Sequence, residues 1–171
     1  MLRLEVGVFM NLGANTATND YLLFMQANVV LPENFRSTIE STIANKTSLA
    51  NFKLRFDWDH WFLKANASFC RFSWNSFQFG DQGLLIENSL FNRLGGYNNQ
   101  VLLAEGNELL RRARKYTNFM KLDAFLVVSA RKYKKHGVYK LQLYYIIIYV
   151  LIRFGLSKKT IMKIYLKLLK S

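Results

Sequence analysis

Apolar and polar residues along the chain alternate with two different periods, the two-residue period of strands and the 3.6-residue period of helices. Residues 49–57 (LANFKLRFD) place apolar side chains at every second position between charged ones, which is typical of a half-buried strand. Uninterrupted apolar runs between turn residues predict further, fully buried strands. We expect four strands in one sheet, at residues 21–25, 49–57, 84–86 and 122–128.

Helical spacing predicts the elements between these strands. Pro32 suits a first helical turn, and Asn88 is the predicted cap of a short helix that ends at Gly95 and Gly96. Strands that alternate with helices predict an α/β layer architecture. The predicted helices are residues 33–44, a segment within 58–74, then 89–94, 105–115, 138–154 and 158–169.

The composition favours one globular domain. The chain has 171 residues, of which 51% are hydrophobic, and a domain of this size buries roughly 70% of its unfolded surface. Cys70 is the only cysteine, so an internal disulfide framework is excluded and a reducing, cytoplasmic compartment fits. The first residues lack the basic region and long apolar run of an export signal.

Positive charge is concentrated in the C-terminal third. Residues 1–110 carry 8 Lys and Arg against 10 Asp and Glu, whereas residues 111–171 carry 16 against one, Asp123. Such a field suits anionic lipid or nucleic acid, and the alternative is a solvated basic face. Nucleic acid is the least favoured partner, because aromatic residues are not interleaved with the basic ones as a stacking platform requires.

The last helices have two interpretations. Residues 141–152 are apolar at 11 of 12 positions, which is short of the ~20 that a membrane span needs, so a buried or interfacial helix is expected. The final helix combines apolar spacing with many lysines. It fits either a membrane-surface helix or a terminal helix packed on the domain. We therefore predict a first domain at 1–137 and C-terminal helices at 138–171.

Five motifs occur in a fixed order: NLGANTATNDYLLFMQANVVLP, NFKLRFD, FGDQGLLIENSLFNRLGGY, AEGNELLRRARK and VVSARKYKKHGV. In this order they resemble the second half of family 2 glycosyltransferases, and in particular small bacterial enzymes encoded beside radical-SAM or selenium-associated domains. The resemblance covers roughly residues 11–169. It implies a partial GT-A fold, meaning a Rossmann-like mixed sheet flanked by helices, followed by two C-terminal helices.

The resemblance also implies a function. Such enzymes transfer a sugar from a nucleotide-sugar to a hydroxyl acceptor, here near the cytoplasmic face of the membrane. They use a divalent cation, Mn²⁺ or Mg²⁺, on the diphosphate and a carboxylate base. The alternative is a catalytically impaired remnant that acts as a binding or membrane-associated module. The family's nucleoside-binding strands have no counterpart before Met10, so the chain resembles a truncated copy.

Two family positions are changed in this chain. The metal-binding aspartate falls on Asn28, whose neutral carbonyl predicts weak metal binding, with Gln26 near it as a substrate-binding candidate. The alternative is that these two amides only end the strand. The catalytic aspartate of a Glu-Asp-x-Glu pattern falls on Gly106, which leaves Glu105 as the candidate base and Glu108 as a substrate-binding candidate. Alternatively, both glutamates only complement the helix dipole.

Three further residues follow from the resemblance. Asp81, as a catalytic residue, and Gln82, as a substrate-binding one, match a Gly-Asp-Gln-Gly turn that is implied to face the acceptor, and the alternative is an ordinary Asp-containing turn. Arg131 is placed to meet the diphosphate, unless it lies in a solvated basic loop. We expect Asn28, Asp81 and Glu105 to converge on one cleft. The three tryptophans, Trp58, Trp61 and Trp74, are expected to fill the core, and the alternative is that they stack on a sugar.

Overall fold

The computed structural model describes residues 6–69, 82–101 and 105–170, and over these residues strands alternate with helices in an α/β fold. The first part contains α1 (Val6–Thr16), β1 (Tyr21–Phe24), β2 (Val29–Val30), α2 (Phe35–Ala44), β3 (Leu49–Phe56) and α3 (Trp61–Phe69). The rest contains β4 (Leu84–Glu87), α4 (Asn88–Arg93), α5 (Glu105–Ala113), β5 (Met120–Val128), α6 (Arg131–His136), α7 (Val138–Arg153) and α8 (Lys158–Lys170).

The strands form one five-stranded mixed sheet in the order β1-β4-β3-β5-β2. Only the central β3–β5 pair is parallel, and the other pairs are antiparallel. The prediction of four strands in one sheet is confirmed. The fifth strand, β2, was not predicted, because two residues are too short to show any period.

The parallel β3–β5 ladder runs from the pair Ala50 and Met120 to the pair Phe56 and Val128. It contains an irregularity where Phe52 faces Leu122 but the next residue, Lys53, faces Phe125. The two additional residues bulge from β5, and one of them, Asp123, forms an ion pair with Lys53.

Helices cover both faces of the sheet. Leu84 and Ile86 of β4 pack in a cluster with residues of α1, α4 and α5, whereas the intervening Leu85 packs in a second cluster that includes residues of α2. In this second cluster, the rings of Phe35 and Phe52 stack with their centroids 5.7 Å apart. Successive strand residues point to opposite faces, so burial of both faces explains the unbroken apolar run that predicted β4.

The capping prediction for α4 is wrong. Glu87 holds the N-cap position with extended backbone angles, and no side chain caps the helix. Asn88 instead donates a hydrogen bond to the carbonyl of Asn19 at 3.0 Å, and accepts one from Asn92. A long-range partner therefore takes the side chain that the local pattern assigned to the cap.

The chain divides into two compact units, Met1–Val128 and Ser129–Ser171, whereas the sequence placed a boundary after residue 137. The difference arises from α6, a helix of the sequence RKYKKH that was not predicted. Within the second unit, the Tyr133 hydroxyl donates to Gln142 at 3.2 Å, and α7 packs on α8. Over the described residues, none of the helices has the length and apolar character needed to cross a membrane.

The turn after α4 is held by close contact with α1. Asn11 of α1 accepts a hydrogen bond from the Tyr97 amide at 2.8 Å and donates one to the Tyr97 carbonyl at 2.9 Å. Gly95 and Gly96 both have positive φ, at 72° and 68°. A Cβ on Gly96 would lie 2.5 Å from Asn11 Oδ1, whereas a Cβ on Gly95 would meet nothing within 4 Å.

We therefore expect Gly96→Ala to destabilise the protein more than Gly95→Ala. Both variants strain a left-handed residue, which costs about 1–2 kcal/mol. The Gly96 variant also displaces Asn11, and each lost hydrogen bond adds about 1 kcal/mol. Urea unfolding of the two variants measures the difference, and equal losses would contradict the proposed contact with Asn11.

Candidate active site

The carboxyl ends of β1, β3 and β5 lie at the same edge of the sheet. β3 and β5 are parallel, and β1 and β3 are both antiparallel to β4, so all three strands run in one direction. In open α/β sheets, ligands bind outside this edge. We call it the carboxyl edge, and define it by the residues that follow β1 (25–28) and β3 (57–60).

The strand register brings Asn28 and Asp57 to the carboxyl edge on either side of Val128. Val29 pairs with Val128 from one side and Phe56 pairs with it from the other. The amide of Asp57 donates to the Val128 carbonyl at 3.1 Å. Two strand spacings separate Val29 from Phe56, roughly 10 Å, and the residue next to each extends beyond the edge.

An open cleft of about 680 Å³ lies at the end of β3. Its polar lining consists of two acids, two bases and a hydroxyl, with the half-buried ring of Trp58 beside them. Asp59 is paired with Lys64 at 2.6 Å. Sequence reasoning missed this group, although the signal, two aspartates flanking a tryptophan directly after a strand, is present. The polar lining residues are Arg55, Asp57, Asp59, Lys64 and Ser68.

Gln26 and Asn28 lie exposed in the turn between β1 and β2. Their side chains are neutral amides at the place where the resemblance implies a metal-binding carboxylate. Among the residues that the structure describes, no group of three or more His, Cys, Asp or Glu side chains is arranged to hold a metal ion. Hard dications prefer several charged oxygens, so this edge does not fit a tight site for Mn²⁺ or Mg²⁺.

Glu105, the first residue of α5, is a half-buried carboxyl group. Burial raises its pKa above the usual range, and a hydrogen bond from its own backbone opposes this only in part. Burial also raises the pKa of Tyr97, and the charge of Glu105 adds to that increase. The Tyr97 ring meets the ring of Phe24, the last residue of β1, edge-on at 5.0 Å. Glu105 begins α5, which packs in the same cluster as α1 and α4 on one face of the sheet.

Glu108 is fully engaged by Arg112. The arginine Nε donates to Oε1 at 2.7 Å and Nη2 donates to Oε2 at 2.8 Å. The same guanidinium donates to the carbonyls of Leu94 and Gly96 at 2.6 and 2.7 Å. The pair therefore fastens α5 to the glycine turn. A substrate-binding role for Glu108 stays a prediction, and it would require this ion pair to open.

Gln82 is completely buried. Its side-chain oxygen accepts hydrogen bonds from Asn51 at 3.1 Å and from the Lys121 ammonium group. It is followed by Gly83, which has a φ of 63°. Gln82 therefore holds neighbouring strands together in the interior and offers no open surface to a substrate. Its substrate-binding role would require this region to open, and it stays a prediction.

The remaining predicted residues have different outcomes. Asp81 and Trp74 lie outside the described residues, and the predicted convergence of Asn28, Asp81 and Glu105 on one cleft stays a prediction. Arg131 is exposed at the start of α6 in the second unit, and its role stays a prediction. The prediction that the tryptophans fill the core is wrong for Trp61, which is 66% exposed.

Comparison with models of known protein families finds no match, and no curated protein matches the chain. The resemblance to glycosyltransferases therefore depends on the order of the five motifs.

Glu105→Gln should change how stability depends on pH. A raised pKa in the folded state means that Glu105 contributes stability below the ordinary value of 4.5, and that this contribution is lost as pH rises through the raised pKa. The amide variant does not titrate. Relative to the wild type, it should gain stability as pH increases from about 4 to about 7.

Urea unfolding across this pH range measures the difference, with Glu108→Gln as the control. Because that change weakens a half-buried ion pair, it should cost about 1.5–3 kcal/mol at neutral pH. A free-energy difference between Glu105→Gln and wild type that is constant with pH would show that Glu105 is not perturbed by burial.

Proposed function

We propose that this protein belongs to the GT-A type glycosyltransferases and that its carboxyl edge receives a nucleotide-sugar and a hydroxyl acceptor. The observation that carries the proposal is the register across Val128, which brings the turn after β1 and the turn after β3 to one edge. The 680 Å³ cleft beside this edge has a volume suited to a small ligand. Carboxylates beside an indole ring suit a sugar, which offers hydroxyl groups and an apolar ring face.

In the proposed transfer, the acceptor oxygen attacks the anomeric carbon of the donor sugar. The bond between that carbon and the diphosphate oxygen breaks, and the nucleoside diphosphate leaves with the electron pair. Glu105 is the proposed base for the acceptor proton, because burial raises its pKa and a carboxylate with a raised pKa is a stronger base. Arg131 lies in the second unit, and its assignment to the diphosphate stays a prediction from the sequence. No step is assigned to a divalent cation, since the described residues do not fit one.

A second candidate function is a binding module of the same ancestry with little catalysis. It is favoured by Gly106, which places no carboxylate at the second position of α5, and by the neutral Asn28. Base catalysis is worth 10²–10⁴-fold, so its loss alone would cost roughly 3–5 kcal/mol of barrier. Both candidates include peripheral association with the cytoplasmic face of a membrane, for which the basic C-terminal third is the supporting feature.

We expect the wild-type chain to bind uridine- and guanosine-diphosphate sugars only weakly and to release nucleoside diphosphate very slowly, even with manganese present. The variant Asn28→Asp with Gly106→Asp restores both family carboxylates. It should raise the release rate at least about a hundredfold, which is the lower end of the range for a recovered base. Saturation-transfer NMR measures binding, and a coupled phosphate assay measures release.

A double variant with the same chemical changes at neutral positions serves as the control. Gly13→Asp lies in α1, where a side chain meets nothing within 4 Å, and Asn45→Asp lies at the end of α2, before β3 begins. This control should behave as the wild type. Absence of nucleotide-sugar binding by every variant would exclude glycosyl transfer, and a micromolar dissociation constant for the wild type would exclude the impaired module.

A further inference from the structure

Helix α7 is apolar on two opposite sides. Leu141, Tyr144 and Ile148 are buried on one side. The other side carries exposed apolar residues at helical spacing, with exposed fractions from 41% to 80%. We call this exposed set the α7 stripe, and it consists of Tyr139, Leu143, Ile146, Val150 and Phe154. A helix that is apolar all round is normally covered on every side, so the stripe requires an occupant.

The final helix, α8, does not present a comparable exposed apolar stripe among its described residues. Ile161 and Tyr165 of α8 are buried, so this part of its apolar side faces inward. Lys163 and Lys167 are exposed. The sequence left open whether α8 is a membrane-surface helix or is packed on the domain. In the structure α8 packs on α7 within the second unit, and the exposed apolar stripe lies on α7.

The charge of the second unit distinguishes between occupants of the stripe. Residues 129–171 contain 11 Lys and Arg and no Asp or Glu. Two copies packed stripe to stripe would bring two such units together without acidic partners, and like charges repel. An anionic bilayer provides both an apolar interior for the stripe and negative headgroups for the surrounding bases.

The ends of the stripe fit the same occupant. Tyr139 at the start and Phe154 at the end are aromatic, and aromatic rings are enriched at the membrane–water boundary. Basic residues lie beside both ends, with Lys140 next to Tyr139 and Arg153 next to Phe154 in the sequence. A lysine such as Lys140 reaches the headgroups while its stem stays on apolar surface.

We propose that α7 lies in the plane of an anionic membrane with its stripe inserted below the headgroups. The proposal deepens the proposed peripheral association and rests on that part of the proposed function. It assigns the contact to a particular helix face and to phospholipids with a net negative headgroup. The first unit is then held at the surface through α7.

Co-sedimentation of the full chain with vesicles tests this proposal. We expect binding to phosphatidylcholine vesicles that contain phosphatidylglycerol, little binding to pure phosphatidylcholine, and a decrease as sodium chloride is raised. Leu143→Gln with Ile146→Gln should lower the partition coefficient roughly tenfold or more, because two inserted aliphatic side chains become polar. Leu12→Gln, at a residue 61% exposed in α1, is the matched control and should bind as the wild type.

A second variant guards against a folding defect. Phe154→Ser changes a residue that is 80% exposed, so it should leave the circular dichroism spectrum unchanged and still reduce binding. Lys163→Gln with Lys167→Gln should reduce binding to anionic vesicles severalfold and weaken its salt dependence.

Three outcomes would overturn the proposal. Stripe variants that co-sediment as the wild type would show that the stripe makes no lipid contact. Equal binding to neutral and anionic vesicles would remove the role of charge. A dimer in sedimentation velocity that is lost in Leu143→Gln with Ile146→Gln, without vesicle binding by the wild type, would identify a second copy as the occupant. Nucleotide-sugar binding is measured without vesicles, so its failure is distinguishable from each of these.

Discussion

The parallel pairing of β3 with β5 is the constraint on which the first unit depends. A parallel pair cannot be joined by a tight turn, so the chain between them must cross over, and it does so through α3, β4, α4 and α5. β4 returns antiparallel on the free side of β3, while β2 adds to the free side of β5. The ends of three strands that run in one direction are thereby gathered at one edge. This pairing, together with that of β2 and β5, brings Asn28 and Asp57 to the same edge of the sheet.

Polar side chains then position the crossover. Asn11 holds the backbone of Tyr97, and Arg112 bridges Glu108 to the carbonyls of the glycine turn. These groups are partly withdrawn from water, where an unpaired donor or acceptor is costly, so the arrangement of α1, α4 and α5 is specified more narrowly than apolar packing alone would require. This set of contacts fixes the position of the start of α5, where Glu105 lies.

Periodicity predicted the four longer strands because burial alone determines where they lie. It failed where partners distant in the sequence decide the structure. α1 has glycine at two positions and no acid in its first turn, and it is fixed by Asn11, whose partners lie more than eighty residues away. Asn88 resembles a cap, but its side chain is used by the Asn19 carbonyl.

The candidate site, too, was predicted from the sequence only in part. The resemblance led to Asn28 and Glu105, but it could not indicate that Gln82 is completely buried and hydrogen-bonded to Asn51 and Lys121. The Asp57 and Asp59 cleft was missed because the strand pattern ended there. Polar residues after a strand can be assigned to a site only when the ends of the neighbouring strands are known.

The crossover also sets the order of events during synthesis. β3 leaves the ribosome well before its parallel partner, and at 5–20 residues per second the segment from Phe56 to Met120 takes roughly 3–13 s to translate. During this interval one edge of β3 has no strand to pair with, and the apolar residues that β5 will cover stay open to water. Unpaired strand edges are where nascent chains associate wrongly. The protein should therefore depend on chaperones more while it is being made than after it has folded.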